Sequence, residues 1–329
     1  MAKTKTGRSN DHDPKFLRHL LMEMLKIRRF EEKAAQMYGL RKIGGFCHLY
    51  NGQEAVAVGA VAAVDLERDH ILTSYRDHGH ALAVGMHPNV VMAELFGKIS
   101  GCSRGKGGSM HMFDVEKNFL GGNGIVGAQI PIATGVAFAS KYKQTGGVTL
   151  CFFGDGAIHQ GAFHESLNLA AVWKLPVIYL VENNHFGMGT AVERVSSVED
   201  FAVKAAAYDI PGRAVDGMDV LTVYREVCEA VEQARSESTP CLLDVKTYRY
   251  KGHSMSDPAR YRTKDELKKY KQQDPILLLK AGMLKEGLIG EDEFKKLDDE
   301  MKQLAQDSVD FAEQSDEPPL ESMYEDIYA

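Results

Sequence analysis

The sequence predicts an α/β fold: a doubly wound, mainly parallel sheet with helices on both faces, an N-terminal helix before it and a C-terminal helical arm after it. Three observations carry this expectation. Helix-spaced and strand-like segments alternate as far as about residue 248, and alternation of that kind builds a layered α/β domain. The strand-like segments VTLCFF (148–153) and PVIYLV (176–181) are unbroken apolar runs, as suits parallel strands covered on both faces. After about residue 264 the composition changes to charged helices.

Taken in order, Pro14 opens and Gly39 closes a segment in which Leu17, Leu20, Leu21, Met24 and Ile27 recur at helical spacing, so an amphipathic helix begins the ordered chain. There follow a helix over 52–64, a strand over 69–75, helices over 89–96 and 127–143, and a strand over 148–153. A helix over 161–174, a strand over 176–182, a helix over 198–208 and a strand over 241–248 complete the alternation. In the tail, Phe294, Leu297, Met301, Leu304 and Phe311 form a narrow apolar stripe. The expected organisation is a flexible stretch 1–14, a binding domain 15–263, and an arm 264–329 that packs on that domain or on a partner subunit.

Composition limits the function. The chain of 329 residues is 44% hydrophobic and 26% charged, close to the globular average. No apolar run reaches the roughly 18 residues of a membrane span, and MAKTKTGRSNDHDP at the start has no hydrophobic segment behind its lysines. A formal charge of −7 argues against nucleic acid as a partner. The five cysteines, Cys47, Cys102, Cys151, Cys228 and Cys241, have no close pair, which fits reduced, mostly buried thiols in a cytoplasmic protein.

The chemistry concentrates in GDGAIHQGAFHESLNLAAVWKLPVIYLVENN (154–184). Strand 148–153 delivers Asp155 to its carboxyl end, the helix crosses back, and the next strand delivers Asn183 and Asn184 to the same edge. Open α/β sheets place ligands in that crevice. One carboxylate with one or two amide oxygens is a poor acid-base pair but a sensible ligand set for magnesium, which takes its remaining oxygens from phosphate and water. If the phosphate already carries about three negative charges, an asparagine oxygen coordinates without the repulsion a second aspartate would add. Gly154 and Gly156 let the backbone approach closely, and the start of the helix near Gly161 favours an anion. A magnesium-bridged phosphate ligand is the expectation.

The same segment resembles the diphosphate-binding signature of thiamine diphosphate enzymes. GFCHLYNGQEA (45–55), SYRDHGH (74–80), GKGGSMHMF (105–113), GGNGIVGAQIP (121–131), ENNHFGMGT (182–190) and TYRYKGHSMSDP (247–258) are similar, in order, to the alpha subunits of the decarboxylating component of pyruvate dehydrogenase. This resemblance covers roughly residues 15 to 325 and implies the thiamine diphosphate-binding fold. By resemblance, Asp155, Asn184 and the backbone carbonyl of Phe186 hold magnesium, with phenylalanine where the family usually has tyrosine. Tyr75, Arg76, Gly156 and Ala157 contact the diphosphate, Gly124 and Val126 the aminopyrimidine. His48 and His253 face the reacting carbon, where histidine donates to a substrate carboxylate or shuttles protons. His78, His80, His159 and His164 read as ordinary surface residues.

The resemblance also implies partners. They are a beta subunit in a tetramer of two alpha and two beta chains, and a dihydrolipoyl acetyltransferase core that receives acetyl groups from pyruvate. Thiamine chemistry needs a carboxylate against the aminopyrimidine and a second α/β domain to hold that ring. This chain holds one α/β layer, so the ring-binding half and its glutamate belong to the beta subunit. Pyruvate is favoured over branched-chain 2-oxo acids or acetoin because YKGHSMSDPARYRT (250–263) is most similar to the pyruvate form. Ser254 follows His253 in that loop, at the position of a kinase target in mitochondrial relatives.

Two other patterns fail. GNGIVG (122–127) satisfies the dinucleotide Gly-x-Gly-x-x-Gly pattern, but DVEKNFL before it is no strand and residues 128–143 offer no acid for a ribose hydroxyl. SGCSRGKGGS (100–109) has Ser100 where a phosphate loop begins with glycine.

Overall fold

The computed structural model describes residues 13–327. The expected flexible segment 1–14 therefore lies mostly outside the described residues. Helix α1 (Pro14–Gly39) starts where Asp13 caps it, its carboxylate accepting from the Lys15 N–H at 3.0 Å. Its buried face carries the five expected residues and also Glu31, an acid with no exposure at all.

A five-stranded parallel sheet forms the centre, in the order β1 (His70–Leu72), β2 (Thr149–Gly154), β3 (Val177–Asn183), β7 (Cys241–Lys246), β6 (Gly212–Asp216). Two short strands, β4 (Phe186–Gly187) and β5 (Thr190–Ala191), make a hairpin just after β3. Along β2, Leu150 and Phe152 enter one apolar cluster while Cys151 and Phe153 enter the other. Along β3, Ile178 and Leu180 alternate with Val177, Tyr179 and Val181 in the same way. Side chains alternate across a strand, so an unbroken apolar run is what two covered faces require.

One face is covered by α1, α2 (Glu54–Ala62), α4 (Pro88–Leu95) and α7 (Val220–Glu237). The other is covered by α5 (Gln129–Tyr142) and α6 (Gly161–Trp173). Helix α2 reads EAVAVGAVA and is buried nearly all round, as an all-apolar helix must be. The short α3 (His78–Ala83) and α8 (Lys264–Lys271) and α9 (Pro275–Lys285) complete the set with α10 (Glu291–Gln314). Helix α10 packs on α1 and α4.

Several expectations shift. Strand 69–75 is only His70–Leu72, because Thr73 N–H bonds instead to the carbonyl of Gly121 and the chain then turns into the site. The helix over 198–208 is a 3-10 helix, Phe201–Tyr208. In the tail stripe, Leu297 is buried but Phe311 is 37% exposed, and Ala305, Val309 and Ala312 supply the contact instead. The drift of a straight helix by about 20° per heptad moves Phe311, two heptads on, off the face that Leu297 occupies. His78 and His80 are fully buried, not surface residues, because α3 is enclosed between α1, α2 and α4. His159 and His164 are exposed.

Among the described residues, no helix is long and apolar enough to cross a membrane.

Candidate active site

Parallel pairing of β2, β3 and β7 puts their carboxyl ends on one edge. Asp155 follows β2 directly and begins a 3-10 turn, Asp155–His159, that stands between the strand and α6. The anion-favouring helix start at Gly161 is thus one turn further from Asp155 than a direct strand-to-helix junction gives. Asn184 follows β3, Phe186 opens the hairpin, and Arg249 lies three residues beyond β7. All four line one cavity of about 510 Å³, with Tyr75, Arg76, Val126, Gly156 and Ala157.

A second cavity of about 630 Å³ shares Tyr75, Val126 and Met188 with the first and adds Gly124, His48, His253 and Ser254. Every site residue assigned by the resemblance therefore lines one or the other. Asn183 does not: its amide donates to Asp244 Oδ1 at 3.0 Å and its oxygen accepts from the His185 N–H. Of the two asparagines, Asn184 faces the cavity.

The electrostatics favour an anion. Arg76 and Arg249 are 4% and 2% exposed, and neither donates to a carboxylate. Arg76 donates to the carbonyls of Leu49 and His253, both at 2.7 Å. Burial, and then the Arg249 charge, lowers Arg76 to about 10. Burial pushes the Asp155 carboxyl up to about 6 against the pull of Arg249. Glu182, the other acid in the first cavity, accepts from the Tyr50 hydroxyl and stands 3.4 Å from His80. The two desolvated guanidinium groups face two carboxylates in this cavity, so the attraction for an anion is local, at guanidinium N–H groups that no carboxylate occupies.

That donor set suits a magnesium-bridged diphosphate. A hard cation finds the Asp155 carboxylate and two neutral oxygens, Asn184 Oδ1 and the Phe186 carbonyl, whose positions converge on Arg249 Nη1 at 3.3 and 3.4 Å. Cavity residues also carry buried polar atoms with no partner: Gln53 Nε2, Gln129 Oε1, His48 Nδ1 and His253 Nδ1. Such atoms are costly unless a ligand or water meets them. Gly156 approaches Gly187, and a Cβ there would sit 3.6 Å from the Gly187 Cα, at the floor of the cavity.

His48, Tyr75 and His253 form an aromatic cluster with ring centroids 4.7 to 5.5 Å apart. Burial, followed by the Arg76 charge, holds His48 down at about 2 and His253 at about 4. Both are neutral imidazoles at neutral pH, able to donate one N–H each, and proton shuttling near pH 7 would need a bound anion to raise them.

A family model described as "Dehydrogenase E1 component" matches residues 22–321. The chain belongs to the dehydrogenase E1 component family. A Rhizobium meliloti protein named pyruvate dehydrogenase E1 component subunit alpha is 55% identical over 93% of this chain and 88% of its own length. A Zymomonas mobilis protein of the same name is 50% identical over 92% of this chain and 86% of its own. The mitochondrial counterpart of Sminthopsis macroura is 46% identical over 93% and 84%.

Sequence reasoning missed two residues of the first cavity. Arg249 stands inside TYRYKGH, directly after the apolar run of β7, so its place at a strand end was a usable signal. Gln53 was less visible. It begins α2 without capping it, and its Oε1 accepts from the Asn184 amide at 2.9 Å. That bond fixes which way the amide points and turns Asn184 Oδ1 toward the cavity.

Proposed function

We propose that this chain is the alpha subunit of a pyruvate dehydrogenase E1 component. With a beta subunit it would carry out thiamine diphosphate-dependent oxidative decarboxylation of pyruvate and acetylate lipoyl groups on a dihydrolipoyl acetyltransferase core. The lipoyl disulfide is the oxidant. The observation that carries this reading is the meeting of Asp155, Asn184 and the Phe186 carbonyl with two guanidinium groups that donate to no carboxylate, at one sheet edge. The names of the relatives support pyruvate as substrate.

In this reading Asp155, Asn184 Oδ1 and the Phe186 carbonyl hold magnesium. Arg76, Arg249, Tyr75 and the backbone at Gly156 and Ala157 bind the diphosphate, and the backbone at Gly124 and Val126 borders the aminopyrimidine. Bound thiamine diphosphate supplies the carbon nucleophile and the electron sink for decarboxylation. His48 and His253 orient the substrate carboxylate through their N–H groups. The activating acid comes from elsewhere: the carboxylate lining the second cavity is Asp257, whose oxygens already accept from His253 N–H, Ala259 N–H and the Tyr261 hydroxyl. A beta subunit with its own glutamate completes the site.

The test is pyruvate-dependent reduction of an artificial electron acceptor by the purified chain alone and by the chain co-expressed with its beta subunit. Turnover is expected only from the assembly. Robust turnover by the single chain would overturn the division of labour, and none from the assembly would overturn the function.

A further inference from the structure

The segment Cys47–Asn51, which carries His48 into the second cavity, is not a strand. Its backbone is held from outside. The carbonyls of Cys47 and Asn51 accept from Met255 N–H and Tyr250 N–H, both at 2.9 Å. Three groups between them are held by side chains instead. His48 N–H donates to Ser109 Oγ at 3.1 Å, the Leu49 carbonyl accepts from Arg76 at 2.7 Å, and Tyr50 N–H donates to Glu31 Oε1 at 2.7 Å.

Two of those three anchors are joined by His78. Its Nδ1 lies 3.0 Å from Glu31 Oε2, and its Nε2 lies 2.8 Å from Ser109 Oγ and 3.2 Å from the Ser109 carbonyl. A protonated Nε2 donates to the Ser109 oxygens, and an unprotonated one accepts from the Ser109 hydroxyl; either joins the ring to Ser109. An ionised Glu31 only accepts, which puts a proton on Nδ1 and makes Nδ1–H the donor to Glu31 Oε2. The Glu31 charge raises the His78 pKa although burial works against it. The order carboxylate, imidazole, hydroxyl has the look of a nucleophilic triad, but Glu31 and His78 have no exposure and Ser109 has 5%. No substrate reaches this hydroxyl, and its oxygen is occupied by the His48 N–H.

We propose that Glu31, His78 and Ser109 form a buried clamp that fixes the backbone on both sides of Leu49 and so aims the His48 ring at the reacting centre. Ser109 and Glu31 are positioning residues, acting through His48, and the inference rests on the functional reading above. A reacting group displaced by about 1 Å costs up to about a hundredfold in rate, while the magnesium ligands sit on other strand ends and Arg76, the diphosphate residue tied to this segment, keeps its second bond to the His253 carbonyl.

The assembly with its beta subunit is the test object. Ser109→Ala should lower kcat for pyruvate by about tenfold or more while the thiamine diphosphate Kd, measured by calorimetry with magnesium, stays within about threefold. Glu31→Gln should keep kcat within about threefold of wild type. The amide oxygen still accepts from Tyr50 N–H, and its NH₂ donates to a neutral His78 with its proton on Nε2. Hydrogen exchange provides a second, activity-independent measure. The amides of His48 and Tyr50 should exchange as slowly as those of β3 in wild type, and that of His48 should become fast in Ser109→Ala. A wild-type kcat in Ser109→Ala, a Kd rise that matches its kcat loss, or fast exchange at His48 in the wild type would each overturn the clamp. If Ser109→Ala does not assemble, the wild-type exchange decides. If the wild-type assembly does not turn over pyruvate, the functional reading falls and the exchange measurement still decides the clamp.

Discussion

One nitrogen of Arg249, Nη1, donates to Asn184 Oδ1 at 3.3 Å and to the carbonyl oxygen of Phe186 at 3.4 Å. A guanidinium therefore stands where two neutral oxygens from one turn converge. A divalent ion about 4 Å from that charge would be repelled by roughly 8 kcal/mol at an effective dielectric of about 20. Loading with magnesium should drive the Arg249 side chain off these oxygens and onto the diphosphate. Arg249→Met is then expected to bind magnesium alone more tightly than wild type, yet to weaken thiamine diphosphate by about ten- to a hundredfold. Calorimetric titration of the assembly measures both, and an unchanged cofactor affinity would remove Arg249 from the site.

Asp155 is the charged member of the proposed magnesium set. In Asp155→Ala the cofactor and magnesium together should no longer raise the melting temperature of the assembly, whereas about 100 Kd of ligand should stabilise the wild type by about 2.7 kcal/mol. Differential scanning fluorimetry is sufficient. An undiminished shift in the variant would refute the assignment.

The loop after β7 is closed by Asp257, which accepts from His253 N–H at 2.7 Å, Ala259 N–H at 2.8 Å and the Tyr261 hydroxyl at 2.7 Å. Burial works to raise this carboxyl, but those hydrogen bonds hold it below its ordinary value of 3.8. A depressed carboxyl contributes stability above its unfolded pKa and loses it as the pH falls through the folded one. The loop should therefore stay closed near neutrality and loosen only below about pH 4. Asp257→Ala should open it at pH 7. Limited proteolysis with pepsin in acid and with trypsin at pH 7 reads the two cases, and a variant as resistant as wild type would show that Asp257 does not close the loop.

Ser254 is 6% exposed and lines the cavity that holds His48 and His253. Its Oγ lies 2.9 Å from Ser256 Oγ. A glutamate there brings a negative charge beside the proposed diphosphate site, and unit charges about 6 Å apart repel by roughly 3 kcal/mol at an effective dielectric of about 20. Ser254→Glu should lose most pyruvate turnover and Ser254→Ala much less. Thiamine diphosphate with magnesium should protect the loop from protease in wild type and not in the glutamate variant. Wild-type turnover with a protected loop in Ser254→Glu would place Ser254 away from the chemistry.

The parallel sheet and the edge where ligands bind were legible because their signals are local. An unbroken run such as VTLCFF states that both faces of a strand are covered, and the polar residues that end such a run mark the edge. Between 209 and 240 no element is assigned from the sequence, and the structure puts β6 and α7 there; α7 was legible, since Val220, Val223, Tyr224, Val227, Val231 and Ala234 recur at helical spacing. Strand β6 reads GRAVD, a short edge strand with one buried residue, too little apolar surface to announce itself.

By itself, the sequence determined the chain order of β1, β2, β3 and β7 with the helix that crosses between β2 and β3, and the delivery of Asp155 and the Asn183–Asn184 pair to one edge. Each follows from periodicity and spacing along the chain. Tertiary structure alone decided which asparagine faces the cavity, because the choice depends on Asp244 from one neighbouring strand and Gln53 from a helix 131 positions away. It also decided that Glu31 and His78, two ordinary polar letters in sequence, are buried together at 3.0 Å. A buried polar group survives only with its partner, and that partner comes from an element far along the chain, where no local pattern can point.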